Sequence, residues 1–206
     1  ASPNTRTDEF ELLIKLIPNG CASCYLKKLN INDAVEFQGP AGMFILRESP
    51  RDKIFMVTGT GYAPVRSMLL SKVQDLGSKV YLFLGFPYYK DVFLFDELKQ
   101  FSNLAMKQFN FKICLSREQN LDMIPEEDKK YFLLGRVTNG LESVIISQSQ
   151  LKSVNNKTDS NRFQPIPTDL TAYDFYLCSG RDIVESLKQY LYEKGAPKEQ
   201  MYFEKF

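Results

Sequence analysis

The chain has no histidine and no tryptophan among its 206 residues. Without histidine, the Ser-His and Cys-His nucleophile systems, histidine general bases and the commonest metal ligand are all excluded. Chemistry must then rest on a cofactor, or on carboxylates, thiols and hydroxyls. There is no run of about 18 apolar residues, so no segment reads as a membrane-spanning helix. Neither sign of charge dominates: 26 Lys and Arg face 25 Asp and Glu, for a net of +1. No overall field steers such a chain to nucleic acid or to an anionic membrane. The start, Ala1-Ser2-Pro3-Asn4, carries no basic and apolar leader, so an intracellular setting is expected, in the cytoplasm or an organelle matrix. The four cysteines, Cys21, Cys24, Cys114 and Cys178, are scattered through a chain too large to need stapling, which suits a reducing compartment. What the chain has in quantity is flat rings: 16 Phe and 11 Tyr, for packing and stacking.

Two kinds of organisation follow one another. Residues 10–17 read as a strand, ended by the turn Pro18-Asn19-Gly20; residues 21–29 read as a short helix and 34–37 as a strand. The turn Gly39-Pro40-Ala41-Gly42 leads into an apolar run at 43–46, and Ser49-Pro50-Arg51-Asp52 marks a boundary. Beyond it, buried-type strands are predicted at 53–57, 80–84, 109–115, 173–178 and 201–203. Helices are predicted between them at 64–76, 91–101, 138–147 (capped by Thr138) and 181–193, with Gly77 and Gly195 as stops. Strands alternating with helices imply right-handed crossovers and a doubly wound, parallel five-stranded α/β sheet. Residues 147–171 are polar and rich in Ser, Asn and Gln, and read as a long insertion. The expected organisation is two domains, 1–50 and 51–206. Ligands of such sheets bind beyond the carboxyl ends of the strands, so the strand-to-helix turns are where function is sought.

The strongest local signal is Thr58-Gly59-Thr60-Gly61-Tyr62-Ala63-Pro64, between a strand and a helix. Glycines let the backbone turn sharply and let a diphosphate approach with no Cβ in the way, while proline suits the first helical position. Cys21-Ala22-Ser23-Cys24 raises a zinc, iron–sulfur or dithiol reading. A four-ligand metal site needs a second pair or histidines, and Cys114 and Cys178 sit on separate strands, so no metal is assigned. Ser116-Arg117 follows the third strand of the sheet; a planar guanidinium beside a hydroxyl is suited to a ribose 2′-phosphate, or is a solvated loop pair.

Taken together these motifs resemble the ferredoxin–NADP(H) reductase family, with its flavodoxin reductases and oxygenase reductase components. Gly59-Thr60-Gly61-Tyr62-Ala63-Pro64 is similar to the family's nicotinamide-nucleotide motif Gly-x-Gly-x-x-Pro. Gly20-Cys21-Ala22-Ser23 resembles its flavin-diphosphate motif Gly-x-x-Ser, and Gly39-Pro40-Ala41-Gly42-Met43-Phe44 the turn ending its flavin domain. Tyr176-Leu177-Cys178-Ser179-Gly180 resembles the Cys-Gly turn beside the nicotinamide, with Ser179 interposed, and Glu204-Lys205-Phe206 the Glu-x-aromatic terminus. The family's Arg-x-Tyr-Ser motif, expected just before Ala1, is not in the sequence, nor are the first strands of the flavin barrel.

The resemblance implies a partial antiparallel β-barrel for the first 50 residues, then the α/β nucleotide domain. It implies FAD and NADP(H) or NAD(H) as cofactors, and hydride transfer from nicotinamide to flavin. Electrons would pass on to a ferredoxin, flavodoxin or oxygenase-like acceptor. Cys178 would then contact the reacting centre, Glu204 would handle protons near the flavin, and Phe206 would lie over the isoalloxazine. Tyr131 would stack on adenine. The other reading is a nucleotide-binding module with no redox chemistry of its own.

Overall fold

The computed structural model describes residues 1–39, 41–72, 77–104, 108–146 and 165–206. In chain order the elements are helix α1 (Cys21–Leu26), strand β1 (Asp52–Thr58), helix α2 (Tyr62–Lys72), β2 (Val80–Phe86), α3 (Phe95–Leu104), β3 (Phe109–Leu115), β4 (Phe132–Leu134), α4 (Val137–Glu142), the short strands β5 (Ile145–Ile146) and β6 (Ile166–Pro167), β7 (Tyr173–Ser179), α5 (Arg181–Glu193) and β8 (Met201–Lys205).

The main sheet is parallel throughout, in the order β4-β3-β2-β1-β7-β8. It has six strands rather than the five expected. The extra one, β4, is three residues long, too short for its apolar pattern to stand out, and is defined by pairing Ile113, Cys114 and Leu115 with Phe132, Leu133 and Leu134. Chain order runs outward from β1 to β4, then returns to place β7 on the other side of β1. The sheet's topological switch point therefore lies between β1 and β7, where such folds open a crevice at the strand ends.

Alternate side chains of each strand feed two cores. Phe55 and Val57 join Val65 and Leu69 of α2 and Leu98 of α3 on one face. Ile54 and Met56 join Leu141 of α4 and Val184, Leu187 and Leu191 of α5 on the other. Strands buried on both faces read as continuous apolar runs, which is why β1, β2, β3 and β7 stand out in the sequence.

Several boundaries differ from expectation for local reasons. Helix α3 begins at Phe95, not at residue 91: Leu94 has φ 55°, and the Asp91 carboxylate turns back to accept from the Tyr88 amide at 3.2 Å. Helix α4 begins one residue before Thr138, and its start is closed by Asn139, whose Oδ1 accepts from the Arg136 amide at 2.9 Å. It stops at Glu142, and residue 145 already belongs to a strand. The predicted end of α2, and residues 147–164 of the polar insertion, lie outside the described residues.

The first 50 residues depart furthest. Among the described residues, neither 10–17 nor 34–37 forms a strand, so the expected partial antiparallel barrel is not seen as paired strands. A strand exists only through its hydrogen-bonded partner, and these segments find none among the described residues. They dock on the α/β body through side chains instead. Phe44 lies edge-on to Tyr176 at 6.1 Å, and the Arg47 amide donates to the Tyr176 hydroxyl at 3.0 Å. Arg66 of α2 donates to the Glu97 carboxylate at 2.7 Å and to the Glu11 carboxylate at 2.6 Å. At the amino end of the sheet, Lys53 and Asp174 face each other in register, both fully buried. Ser49, Arg51 and Lys53 all donate to the Asp174 carboxylate, Arg51 at 2.7 Å and Lys53 at 3.2 Å.

Candidate active site

The loop after β1 turns at the switch point. Gly59 has φ 51°, which side chains resist, and a Cβ built there meets nothing within 4 Å. Its glycine is demanded by conformation, and open space lies in front of it. Gly61 is demanded by contact: a Cβ there would stand 2.1 Å from the Cys178 carbonyl oxygen. The loop backbone is therefore laid directly on the end of β7. Thr58 and Ser179, ending β1 and β7, join their hydroxyls in a hydrogen bond across the crevice. Helix α2 opens immediately beyond, at Tyr62, with its amino end at this rim. The space at Gly59, the turned backbone and the helix end fit a diphosphate.

Cys178 is a neighbour of Val57 on one side and of Glu204 on the other. Burial pushes its thiol up to about 12, and the Glu204 carboxylate nearby adds to the rise. Such a thiol remains protonated at neutral pH, so it offers a neutral contact and not a nucleophile. Glu204 is exposed, and its Oε1 lies 3.6 Å from where a Gly42 Cβ would stand. The Phe206 amide donates to the Ser179 carbonyl at 3.3 Å while its ring is 65% exposed. Thr58, Gly59, Gly61, Cys178, Ser179, Gly180, Glu204 and Phe206 thus meet at one rim, with Ala63 and Pro64 in the first turn of α2.

Ser116 and Arg117 lie on the same rim, both exposed, their amides bound to the Phe86 and Pro87 carbonyls. Strand β2 separates them from β1, a gap of about 10 Å. Tyr131 is not brought to this group. It precedes the residue paired with Ile113, well below the carboxyl end of β3, and one ring face is stacked on Phe111 at 4.8 Å. The Gly20–Ser23 turn is a separate unit. Ser23 is buried and accepts from the Ile17 amide at 2.9 Å, and a Cβ on Gly20 would strike Ile17 at 2.6 Å. Cys21 and Ala22 remain exposed. Among the described residues no group of three or more His, Cys, Asp or Glu is placed to hold a metal.

Sequence reasoning assigned no role to Gly42 beside Glu204, or to the Thr58–Ser179 contact. Both join segments far apart in the chain, and no local pattern marks such pairs. Gly42 carries a faint signal, since a glycine with φ 102° is wanted where no other residue fits well.

Residues 1–45 match the family of oxidoreductase FAD-binding domains, and residues 55–150 that of oxidoreductase NAD-binding domains. The toluate 1,2-dioxygenase electron transfer component of Pseudomonas putida is 27% identical over 201 residues, 96% of this chain and 50% of that protein. The phenol 2-monooxygenase reductase component of a Pseudomonas strain is 36% identical over 125 residues, 59% of this chain and 35% of that protein. The structure of a ferredoxin NADP+ reductase from Neisseria gonorrhoeae aligns with a TM-score of 0.64 at 20% identity, covering 92% of this chain and 71% of that one. Fold, rim and sequence matches define a class, the flavin-linked oxidoreductases with a dinucleotide-binding α/β sheet. Within that class the chain is similar to the ferredoxin reductase-like proteins, through separate matches to its first 45 residues and to 55–150. It spans about half the length of curated relatives such as the toluate component. Among the described residues no helix is long and apolar enough to cross a membrane.

Proposed function

We propose that the chain is the nucleotide-binding half, with part of the flavin half, of an FAD-dependent NAD(P)H reductase that delivers electrons to a ferredoxin, flavodoxin or oxygenase-type protein. The observation that carries this is the approach of Gly61 to the Cys178 carbonyl, which gathers the glycine loop, Cys178, Ser179, Glu204 and Phe206 at the switch point. When bound, NAD(P)H and FAD supply the hydride exchange and the onward electrons. The protein's own part is to bind and orient. The amides from Gly59 to Ala63 hold a diphosphate, Ser116 and Arg117 take the adenosine end, and Cys178 to Gly180 line the nicotinamide end. Phe206 covers the flavin ring, Glu204 presents its carboxylate beside it, and the Gly20–Ser23 turn takes the flavin diphosphate. The division falls at residue 50, with 1–50 belonging to the flavin half.

The test is NAD(P)H oxidation with added FAD and ferricyanide as acceptor, alongside calorimetry with NADH, NADPH and FAD. Activity in the wild type and its loss in Gly61→Ala are expected. Nucleotide binding without any FAD uptake or activity would instead favour a redox-silent nucleotide-binding module, a reading motivated by the absence of paired strands among described residues 1–39 and 41–50. Replacing Arg117 by Ala should raise the KM for NADPH more than that for NADH; equal effects would remove Arg117 from the adenosine site.

A further inference from the structure

The reductase reading uses the backbone of the Gly20–Ser23 turn and leaves its two thiols without a task. We infer that Cys21 and Cys24 form an intramolecular thiol–disulfide pair, closed by low-molecular-weight disulfides and shielded when a flavin diphosphate occupies the turn. The shielding rests on the proposed function; the pair itself does not.

Both thiols are free and exposed, whereas Cys114 and Cys178 are buried. They stand three residues apart on α1, and the Cys24 amide donates to the Gly20 carbonyl at 2.8 Å, so the turn joining them is helical. Helical geometry sets residues three apart roughly 5 Å from Cα to Cα, inside the span a disulfide bridges. The turn is anchored from within. Ser23 is buried on the Ile17 amide, and Gly20 packs against Ile17, so the backbone between the cysteines is held while their side chains face solvent. Ring closure therefore orders little that is not already ordered. The remaining thiols do not compete: burial pushes both Cys114 and Cys178 up to about 12, which denies them thiolate at neutral pH.

The chemistry is an exchange. One of the two thiols loses its proton and attacks a small disulfide such as oxidised glutathione, breaking its S–S bond and releasing one reduced thiol. The second cysteine, as thiolate, attacks the mixed disulfide and releases the other. Two protein thiols are oxidised, one small disulfide is reduced to two thiols, and the two protons leave with them. The closed ring sits on the turn assigned to the flavin diphosphate, so oxidation and flavin binding compete, each weakening the other by the same factor.

The test treats the native chain with oxidised glutathione and reads intact and peptide masses. Expected is loss of two hydrogens confined to the peptide carrying Cys21 and Cys24, and in Cys21→Ser a single glutathione adduct on Cys24. Separate adducts on both cysteines, chain-to-chain disulfides, or oxidation of Cys114 or Cys178 in the native protein would overturn the pair. Repetition with FAD, its uptake followed by flavin fluorescence, should slow ring closure several-fold. Bound FAD without slowing refutes the shielding. Absence of FAD uptake defeats the flavin-turn assignment and with it the shielding, and leaves the mass result to decide the pair.

Discussion

The two glycines of the Thr58–Pro64 loop look alike in sequence but are needed for different reasons, and substitution separates them. In Gly59→Ala the new methyl meets open space, so the cost is that of holding an L residue near φ 51°, on the order of 1 kcal/mol. In Gly61→Ala the methyl would lie 2.1 Å from a backbone oxygen, which must move. Either the loop lifts from β7 or β7 shifts, at a cost of about 1–3 kcal/mol or more. Gly61→Ala should therefore lower the denaturation midpoint more than Gly59→Ala, and should weaken NAD(P)H binding by calorimetry well beyond it. Equal effects would show that the contact with Cys178 does not position the loop. The glycine spacing was legible from the sequence, as was the strand before it and the helix after. The partner of Gly61 was not, because it lies on a strand far along the chain whose neighbour is fixed only by the crossover.

At the scale of elements, the long buried strands and the final helix could be read almost to the residue, because their side chains alternate between two cores or follow one helical face. The boundaries missed were set by single polar contacts, such as the Asp91 carboxylate closing its own turn and starting α3 late. What joins the first 50 residues to the sheet was not legible at all. One joint is the cluster around Asp174. Burial pushes its carboxyl up, yet hydrogen bonds from Ser49, Arg51 and Lys53 outweigh this and leave it below the ordinary value of 3.8. A carboxyl depressed on folding contributes stability that is complete above its unfolded pKa. That contribution is lost as pH falls through this value towards the folded one. Urea midpoints should thus fall between pH 6 and pH 3 (a range of about 3 units) more steeply in the wild type than in Asp174→Asn. At pH 7 that variant should be less stable by about 3–5 kcal/mol, since it strands the buried Lys53 charge. The second joint is Arg66, which holds Glu97 of α3 and Glu11 of the leading segment together. Arg66→Ala should speed amide exchange in residues 1–11 while leaving β1 protected. Unchanged exchange there would mean that the arginine ties only α2 to α3.

For the whole molecule, the surface is uneven. The α/β body exposes a few scattered apolar side chains, such as Leu104, Met123 and Phe206, but Phe10, Leu12, Leu16, Ile17, Ile31, Phe37, Met43 and Ile45 are each about half exposed or more, all in the first 45 residues. Scattered single residues of this kind are ordinary on a monomer; a concentration of them in one segment is not. Their alternation at 10–17 is what made that segment read as a strand, and without a strand partner among the described residues it offers an edge beside exposed apolar side chains. Such a segment lowers its free energy by pairing with another copy. The chain should therefore self-associate as concentration rises, seen in sedimentation velocity as a shift away from the monomer. Lys substitutions at Phe10 and Leu12, which add like charges to an edge, should move the equilibrium back towards the monomer. A monomer over the whole concentration range would mean that side-chain contacts such as Phe10 against Phe37, 5.1 Å between ring centres, already satisfy the segment.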